Sequence, residues 1–191
     1  MASKFLDNIE FPQDRFELRL SGSGGQGMIF AAVVLSEAIG KGESKNVVQS
    51  QSYGPEARGG ASKADVVVSS GEIFYPKAMK LDLLLAMTQE SLDSYYGDLK
   101  EGGMLVVDSG LVTSIPTEEY YGLPCTRLAR EHVGSAVVAN VVALGAICAL
   151  TDVVSLDALT EAVLARAPRG TEDKNKKAIE IGYNEALKIK R

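Results

Sequence analysis

The stretch Phe16-Glu-Leu-Arg-Leu-Ser-Gly-Ser-Gly-Gly-Gln-Gly-Met-Ile-Phe-Ala-Ala-Val-Val-Leu-Ser-Glu-Ala-Ile-Gly40 decides the fold. Phe16, Leu18 and Leu20 alternate with Glu17 and Arg19, the period-two pattern of a strand. From Gly25 to Ile39 the period changes, with Met28, Ala31, Ala32, Leu35, Ala38 and Ile39 recurring at helical spacing until Gly40 and Gly42 break the pattern. Strand, glycine turn and helix in succession open an α/β domain.

The same rhythm continues downstream. Asn46 to Gln51 predicts a second strand, and the Gly- and Pro-bearing segment Ser52 to Gly60 predicts a loop. Ala64 to Ser69 and Glu72 to Tyr75 flank a Ser-Gly turn and predict a hairpin, so antiparallel pairs mix with parallel ones. Leu81 to Met87 is a strand apolar on both faces. Thr88 caps a helix running through Leu99; Met104 to Asp108 is a further strand and Pro124 to Leu128 the last. Three helices follow, Ser135 to Leu150, Ser155 to Ala165 and Thr171 to Lys190, with Ser155 and Thr171 as N-caps. The expected fold is a Rossmann-like single α/β domain with a mostly parallel, mixed sheet and a helical C-terminal third. It spans residues 16–191, after an N-terminal extension, residues 1–15.

Composition narrows the function. The chain has 191 residues, 46% of them apolar and 24% charged, as one ordinary globular domain requires. A net charge of −5 argues against a polyanion surface, so nucleic acid is not an expected partner. No signal-peptide pattern and no apolar run of membrane-spanning length occurs, which points to the cytoplasm and away from a membrane. The segment from Arg169 holds seven basic and four acidic residues, the pattern of a solvated or subunit-facing helix. Cys125 and Cys148 are the only cysteines, too few for a disulfide framework or a four-thiolate cluster. Any redox centre is therefore borrowed from another chain.

Gly22-Ser-Gly-Gly-Gln-Gly27 fits G-x-G-x-x-G between a predicted strand and a predicted helix. Glycines let a ligand approach the backbone, and the unpaired N–H groups of a helix start favour phosphate or carboxylate. Equally, the glycines could close a tight turn packed against another chain. Met28 and Ile29 stand where a P-loop needs Lys and then Ser or Thr, which excludes nucleotide hydrolysis of that type. Gln49, Ser50 and Gln51 end the second strand where a dinucleotide fold places the acid that holds the ribose. A stand-alone NAD or FAD oxidoreductase is thus the alternative reading, beside a ligand-free interaction module.

Ser52 to Gly60 follows the second strand and should neighbour the glycine turn at the carboxyl edge of the sheet. Tyr53 offers a flat face and a hydroxyl, Glu56 an acceptor, Arg58 a forked cation, and Gly59 with Gly60 a close backbone approach. His132, alone and without a nucleophile beside it by motif, reads as non-catalytic. Asn140, inside an apolar helix, needs a hydrogen-bond partner and reads as a pin between helix and loop. Asp108, at a strand end, reads as a capping or packing residue.

G-S-G-G-Q-G at 22–27 with Q-S-Y-G-P-E-A-R-G-G at 51–60 resembles the gamma subunit of 2-oxoacid:ferredoxin oxidoreductases, most closely of the 2-oxoglutarate type. The resemblance extends through Ile73-Phe-Tyr-Pro76, Val106-Val-Asp-Ser109, Asn140 with Gly145, and Asn175-Lys-Lys-Ala178 with Gly182. It implies a complex that decarboxylates a 2-oxoacid, transfers the acyl group to coenzyme A and passes two electrons to ferredoxin. The implied partners are alpha and beta subunits and a ferredoxin-like delta subunit or domain, which hold the thiamine diphosphate and the iron–sulfur clusters. Gly97-Asp98-Leu99 lacks the third residue of a Gly-Asp-Gly diphosphate motif, so no catalytic residue is expected here. Coenzyme A is the implied ligand of Gly22, Gly24, Gly25, Gln26, Gly27, Tyr53, Glu56, Arg58 and Gly59.

Overall fold

Alternation in the first strand sends its side chains to two different layers. In the computed structural model, which describes residues 15–43, 45–52 and 61–190, β1 is Phe16–Ser23 and leads into α1, Met28–Gly42. β2 (Asn46–Ser52), β3 (Ala61–Ser69) and β4 (Leu81–Ala86) follow, then α2 (Gln89–Tyr95), β5 (Leu99–Asp108), β6 (Tyr121–Leu123) and α3 (Cys125–Leu128). The last three helices are α4 (Ala139–Leu150), α5 (Leu156–Arg166) and α6 (Glu172–Ile189).

The six strands lie in the order β2-β3-β1-β4-β5-β6. β1 pairs in parallel with β4, β4 with β5 and β5 with β6, while β3 runs antiparallel to both β1 and β2. Phe16, Leu18 and Leu20 enter a core shared with α1, α4, α5 and α6. On the other face Leu84, Ala86, Leu105 and Val107 pack with Leu92 of α2 and with Val112. β4 feeds both cores, which is why it reads as unbroken apolar sequence.

All twelve residues of α4 are buried. The reason is glycine at its contact with α6. A Cβ on Gly145 would fall well within 3.0 Å of the Ile179 carbonyl, and one on Gly182 equally close to the Val142 carbonyl. The two backbones therefore approach more closely than any side chain allows. α6 presents Ala178, Ile179, Gly182 and Ala186 to this contact and its charges to the outside.

Three sequence expectations are corrected. The hairpin of 64–69 with 72–75 does not form, because β3 pairs with β2 and β1 instead. The chain after Ser69 is captured by side chains: Arg15 donates to the Tyr75 and Lys77 carbonyls, and Glu17 accepts from the Met79 and Lys80 amides. The last strand is Tyr121–Leu123, and 125–128 is helical because the Asp108 carboxylate draws in the amide and hydroxyl of Thr126. The helix capped by Thr88 stops at Tyr95, passes through a 3-10 turn at Tyr96–Asp98 and leaves β5 to begin at Leu99. Thr88 and Ser91 form the reciprocal capping box that starts it.

Glu17 and Arg19, the polar residues of the alternating first strand, are both buried. Arg19 donates to Asp65 Oδ1 at 2.6 Å and Oδ2 at 2.9 Å, bonds Asp98, and lies 5.1 Å from the centre of the Tyr95 ring. Burial alone would lower the guanidinium pKa, but the bonds to Asp65 and Asp98 outweigh it and raise it. The available signal was Asp65 itself, a charge set inside the apolar strand Ala64 to Val68.

Candidate functional site at the glycine turn

At the end of β1 the chain turns on its own groups. Gln26 N donates to Ser23 O at 3.2 Å, and Gln26 Oε1 accepts from Ser23 N at 2.8 Å. A Cβ on Gly22 would collide with that Gln26 carbonyl oxygen, so the first glycine makes room for the clasp. Gly27 is the N-cap of α1 in the left-handed region, φ +72°, with no side-chain cap, and the ladder begins with Ala31 N donating to Gly27 O at 2.9 Å. The first amides of α1 lie outside the ladder, which leaves the positive end of the helix dipole toward the turn. Gly24 and Gly25 are exposed, and among the described residues a Cβ on either would meet nothing within 4 Å. Against the described residues the turn is thus open above these two glycines and closed below them.

What closes it from below is Asn140, only 5% exposed at the start of α4. Its Nδ2 donates to Gly27 O at 3.1 Å and its Oδ1 accepts from Val141 N at 2.9 Å. The expected pin between helix and loop is present, and it brings the N-termini of α1 and α4 together at one edge of the sheet. Asp108 is likewise structural: fully buried, it accepts from Gly110 N as well as from Thr126.

Tyr53, Glu56, Arg58, Gly59 and Gly60 lie outside the described residues. The strands on either side of them meet the glycine turn all the same. Ser52 pairs with Lys63, Lys63 with Ser21, and Ala61 with Ser23, so the chain leaves β2 and re-enters β3 beside the end of β1. The strand ends that bracket the second motif thus lie beside the glycine turn, and the motif between them lies outside the described residues.

Among the described residues no group of three or more His, Cys, Asp or Glu side chains is placed to hold a metal. Cys125 and Cys148 are buried and do not fit a cluster. Burial pushes the Cys148 thiol up to about 11, with the charges of Glu43 and Asp152 adding to the effect, and its Sγ bonds the Val154 carbonyl. Burial raises the Cys125 thiol also, with Asp108 contributing. His132 is exposed. No described helix is long and apolar enough to cross a membrane.

The fold and turn define a class: a Rossmann-like α/β domain with a glycine turn between its first strand and first helix at the carboxyl edge of the sheet. The family model for pyruvate ferredoxin/flavodoxin oxidoreductase matches residues 17–185, and the chain belongs to this family. It is 46% identical over 179 residues to the 2-oxoglutarate synthase subunit KorC of Methanocaldococcus jannaschii, covering 92% of this chain and 96% of that one. The structure of a keto/oxoacid ferredoxin oxidoreductase gamma subunit from Geobacter sulfurreducens superposes with a TM-score of 0.85 at 48% identity, covering 93% of this chain and 99% of that one. The fold also recurs in 2-oxoglutarate:ferredoxin oxidoreductase from Magnetococcus marinus, solved with 2-oxoglutarate, coenzyme A and succinyl-CoA bound. There the TM-score is 0.79 at 21% identity, over 92% of this chain and 31% of that one.

Proposed function

We propose that this chain is the gamma subunit of a cytoplasmic 2-oxoacid:ferredoxin oxidoreductase, with 2-oxoglutarate as the substrate, and that residues 16–191 are its single domain. The observation that carries this reading is the 46% identity with a 2-oxoglutarate synthase subunit over nearly the full length of both chains. The complex converts 2-oxoglutarate and coenzyme A to succinyl-CoA and carbon dioxide while two electrons pass to ferredoxin. Thiamine diphosphate and the iron–sulfur clusters belong to the alpha, beta and ferredoxin-like delta components, in keeping with the two buried thiols of this chain. This subunit contributes architecture, and coenzyme A touches it at the glycine turn.

Support for that contact is geometric. Gly24 and Gly25 leave room above the turn, Gly22 and Gln26 hold it in shape, and Gly27 begins the uncapped helix α1. A phosphate there would face the free amides of the helix start. Tyr53, Glu56, Arg58 and Gly59 belong to the neighbouring segment, with Arg58 as the charge partner of the phosphate.

The test is viologen reduction by the complex purified from native cells, with 2-oxoglutarate compared against pyruvate, branched-chain oxoacids and indolepyruvate. A preference for 2-oxoglutarate that requires coenzyme A is expected, and a lone chain carrying nicotinamide or flavin would refute the assignment. For the coenzyme A contact, Arg58→Ala should raise the KM for coenzyme A in the assembled complex; an unchanged KM would remove Arg58 from the site.

A further inference from the structure

Tyr95 ends α2 and packs on the sheet face opposite α1, against the strands that lead to the glycine turn. Its ring centre lies 5.1 Å from Arg19 Cζ in β1 and 5.2 Å from Lys63 Nζ in β3. Arg19 is buried and bonded to both oxygens of Asp65, so the ring rests on a cation that is itself fixed. From there the Tyr95 hydroxyl donates to the Ala61 carbonyl at 3.1 Å.

Ala61 is the first residue of β3 and the register partner of Ser23, the last residue of β1. The end of a ladder is where strands open most readily. At this end the amide of Ser23 gives its hydrogen to Gln26 Oε1 at 2.8 Å, and the Ser23 carbonyl accepts from Gln26 N. Two clasps therefore act on one residue pair, Gln26 on Ser23 and Tyr95 on Ala61. A phenylalanine at position 95 would place the same ring over the same two cations. What the hydroxyl adds is the bond to Ala61.

We infer that Tyr95 is a positioning residue for the coenzyme A contact at the glycine turn. Its hydroxyl holds the start of β3 against the end of β1, which keeps Ser23 in place for the clasp with Gln26 and so aims the turn. Tyr95 acts from the far side of the sheet, through Ala61 and Ser23, and meets no part of the ligand. The inference rests on the coenzyme A contact given under Proposed function.

The experiment compares the parent, Tyr95→Phe and Gly24→Asp in the assembled complex. Tyr95→Phe keeps the ring and removes the hydroxyl. It should raise the KM for coenzyme A about three- to tenfold, the worth of one hydrogen bond, while kcat at saturating coenzyme A and the KM for 2-oxoglutarate move less than about twofold. Hydrogen exchange read by mass spectrometry on peptides covering residues 22–27 should quicken by a similar factor, with residues 139–150 of α4 unchanged. A purely structural hydroxyl would lower the thermal midpoint of the complex without that selective rise in KM. Gly24→Asp puts a carboxylate where the phosphate is placed and should raise the coenzyme A KM by itself. If Gly24→Asp raises that KM and Tyr95→Phe does not, the positioning role is overturned. Unchanged exchange at 22–27 in Tyr95→Phe overturns it as well. If Gly24→Asp leaves the KM unchanged, the coenzyme A contact is what fails, and exchange at 22–27 then decides whether Tyr95 holds the turn.

Discussion

The side-chain amide of Asn140 donates to the carbonyl oxygen of Gly27 across 3.1 Å, tying the first turn of α4 to the first turn of α1. The bond fixes the rear of the glycine turn while its front stays open, so the shape of the turn depends on a residue 113 positions away. A Cβ on Gly27 would lie 2.5 Å from Asn140 Nδ2, so the contact also sets which residue Gly27 can be.

Gly27→Ala meets both a positive φ and that collision, and should destabilise the full chain by about 2 to 4 kcal/mol. Asn140→Ala should cost about 1 to 3 kcal/mol through the lost buried bonds. The double variant should be more stable than the sum of the two, because removing Asn140 removes the clash. Urea unfolding of the four chains measures the coupling, and strict additivity would show that the two residues do not interact.

At the crossing of α4 and α6 the space is smaller still. Gly145→Ala and Gly182→Ala each place a methyl against a main-chain carbonyl, that of Ile179 or Val142, and neither carbonyl can rotate away as a side chain can. Each should cost about 3 kcal/mol or more. Gly24→Ala, whose Cβ meets nothing among the described residues, should change stability by less than about 0.5 kcal/mol. Thermal unfolding of the three variants under one buffer makes the comparison.

Arg19 and Asp65 behave as a buried pair. Arg19→Ala leaves the Asp65 carboxylate without its partner and should cost about 3 to 5 kcal/mol, whereas Arg19→Met with Asp65→Leu should recover most of that loss. Denaturant midpoints distinguish the two. If the double variant were as unstable as Arg19→Ala, the Asp98 and Tyr95 contacts of Arg19 would outweigh its bond to Asp65.

The α1–α5 surface supplies a pH dependence. The Arg166 guanidinium and the Lys41 ammonium hold the Glu37 carboxyl at about 2, below its usual 4.5. A carboxyl depressed in the folded state contributes stability that is complete above its unfolded pKa and is lost as pH falls through the folded one. The parent chain should therefore lose stability relative to Glu37→Gln between pH 4.5 and about 2. The difference should be small, and smaller again in about 1 M salt, because the pairs are at the surface.

Both thiols should be silent in the native state. Cys125 is fully buried and Cys148 nearly so, and burial disfavours both thiolates. Iodoacetamide at pH 8 should label neither cysteine in the folded chain and both in denaturant, as mass spectrometry would record. Rapid labelling of Cys148 in the native chain would mean that the contact of α4 with the Val154 turn opens readily.

Local sequence alone determined the strand, glycine turn and helix that open the domain, the caps at Thr88 and Ser155 and the buried run of α4. Each rests on periodicity or on side-chain bonds within a few residues. It also marked Asn140 as needing a partner, since an amide in an apolar helix is costly without one. Which partner it finds, where β3 inserts in the sheet, and why Glu17 and Arg19 are buried were decided only in three dimensions. Glu17 meets the Met79 and Lys80 amides and Arg19 meets Asp65 and Asp98 across 46 to 79 positions of sequence. Alternation tells which side of a strand a residue faces, but only the packed fold tells whether that side is water.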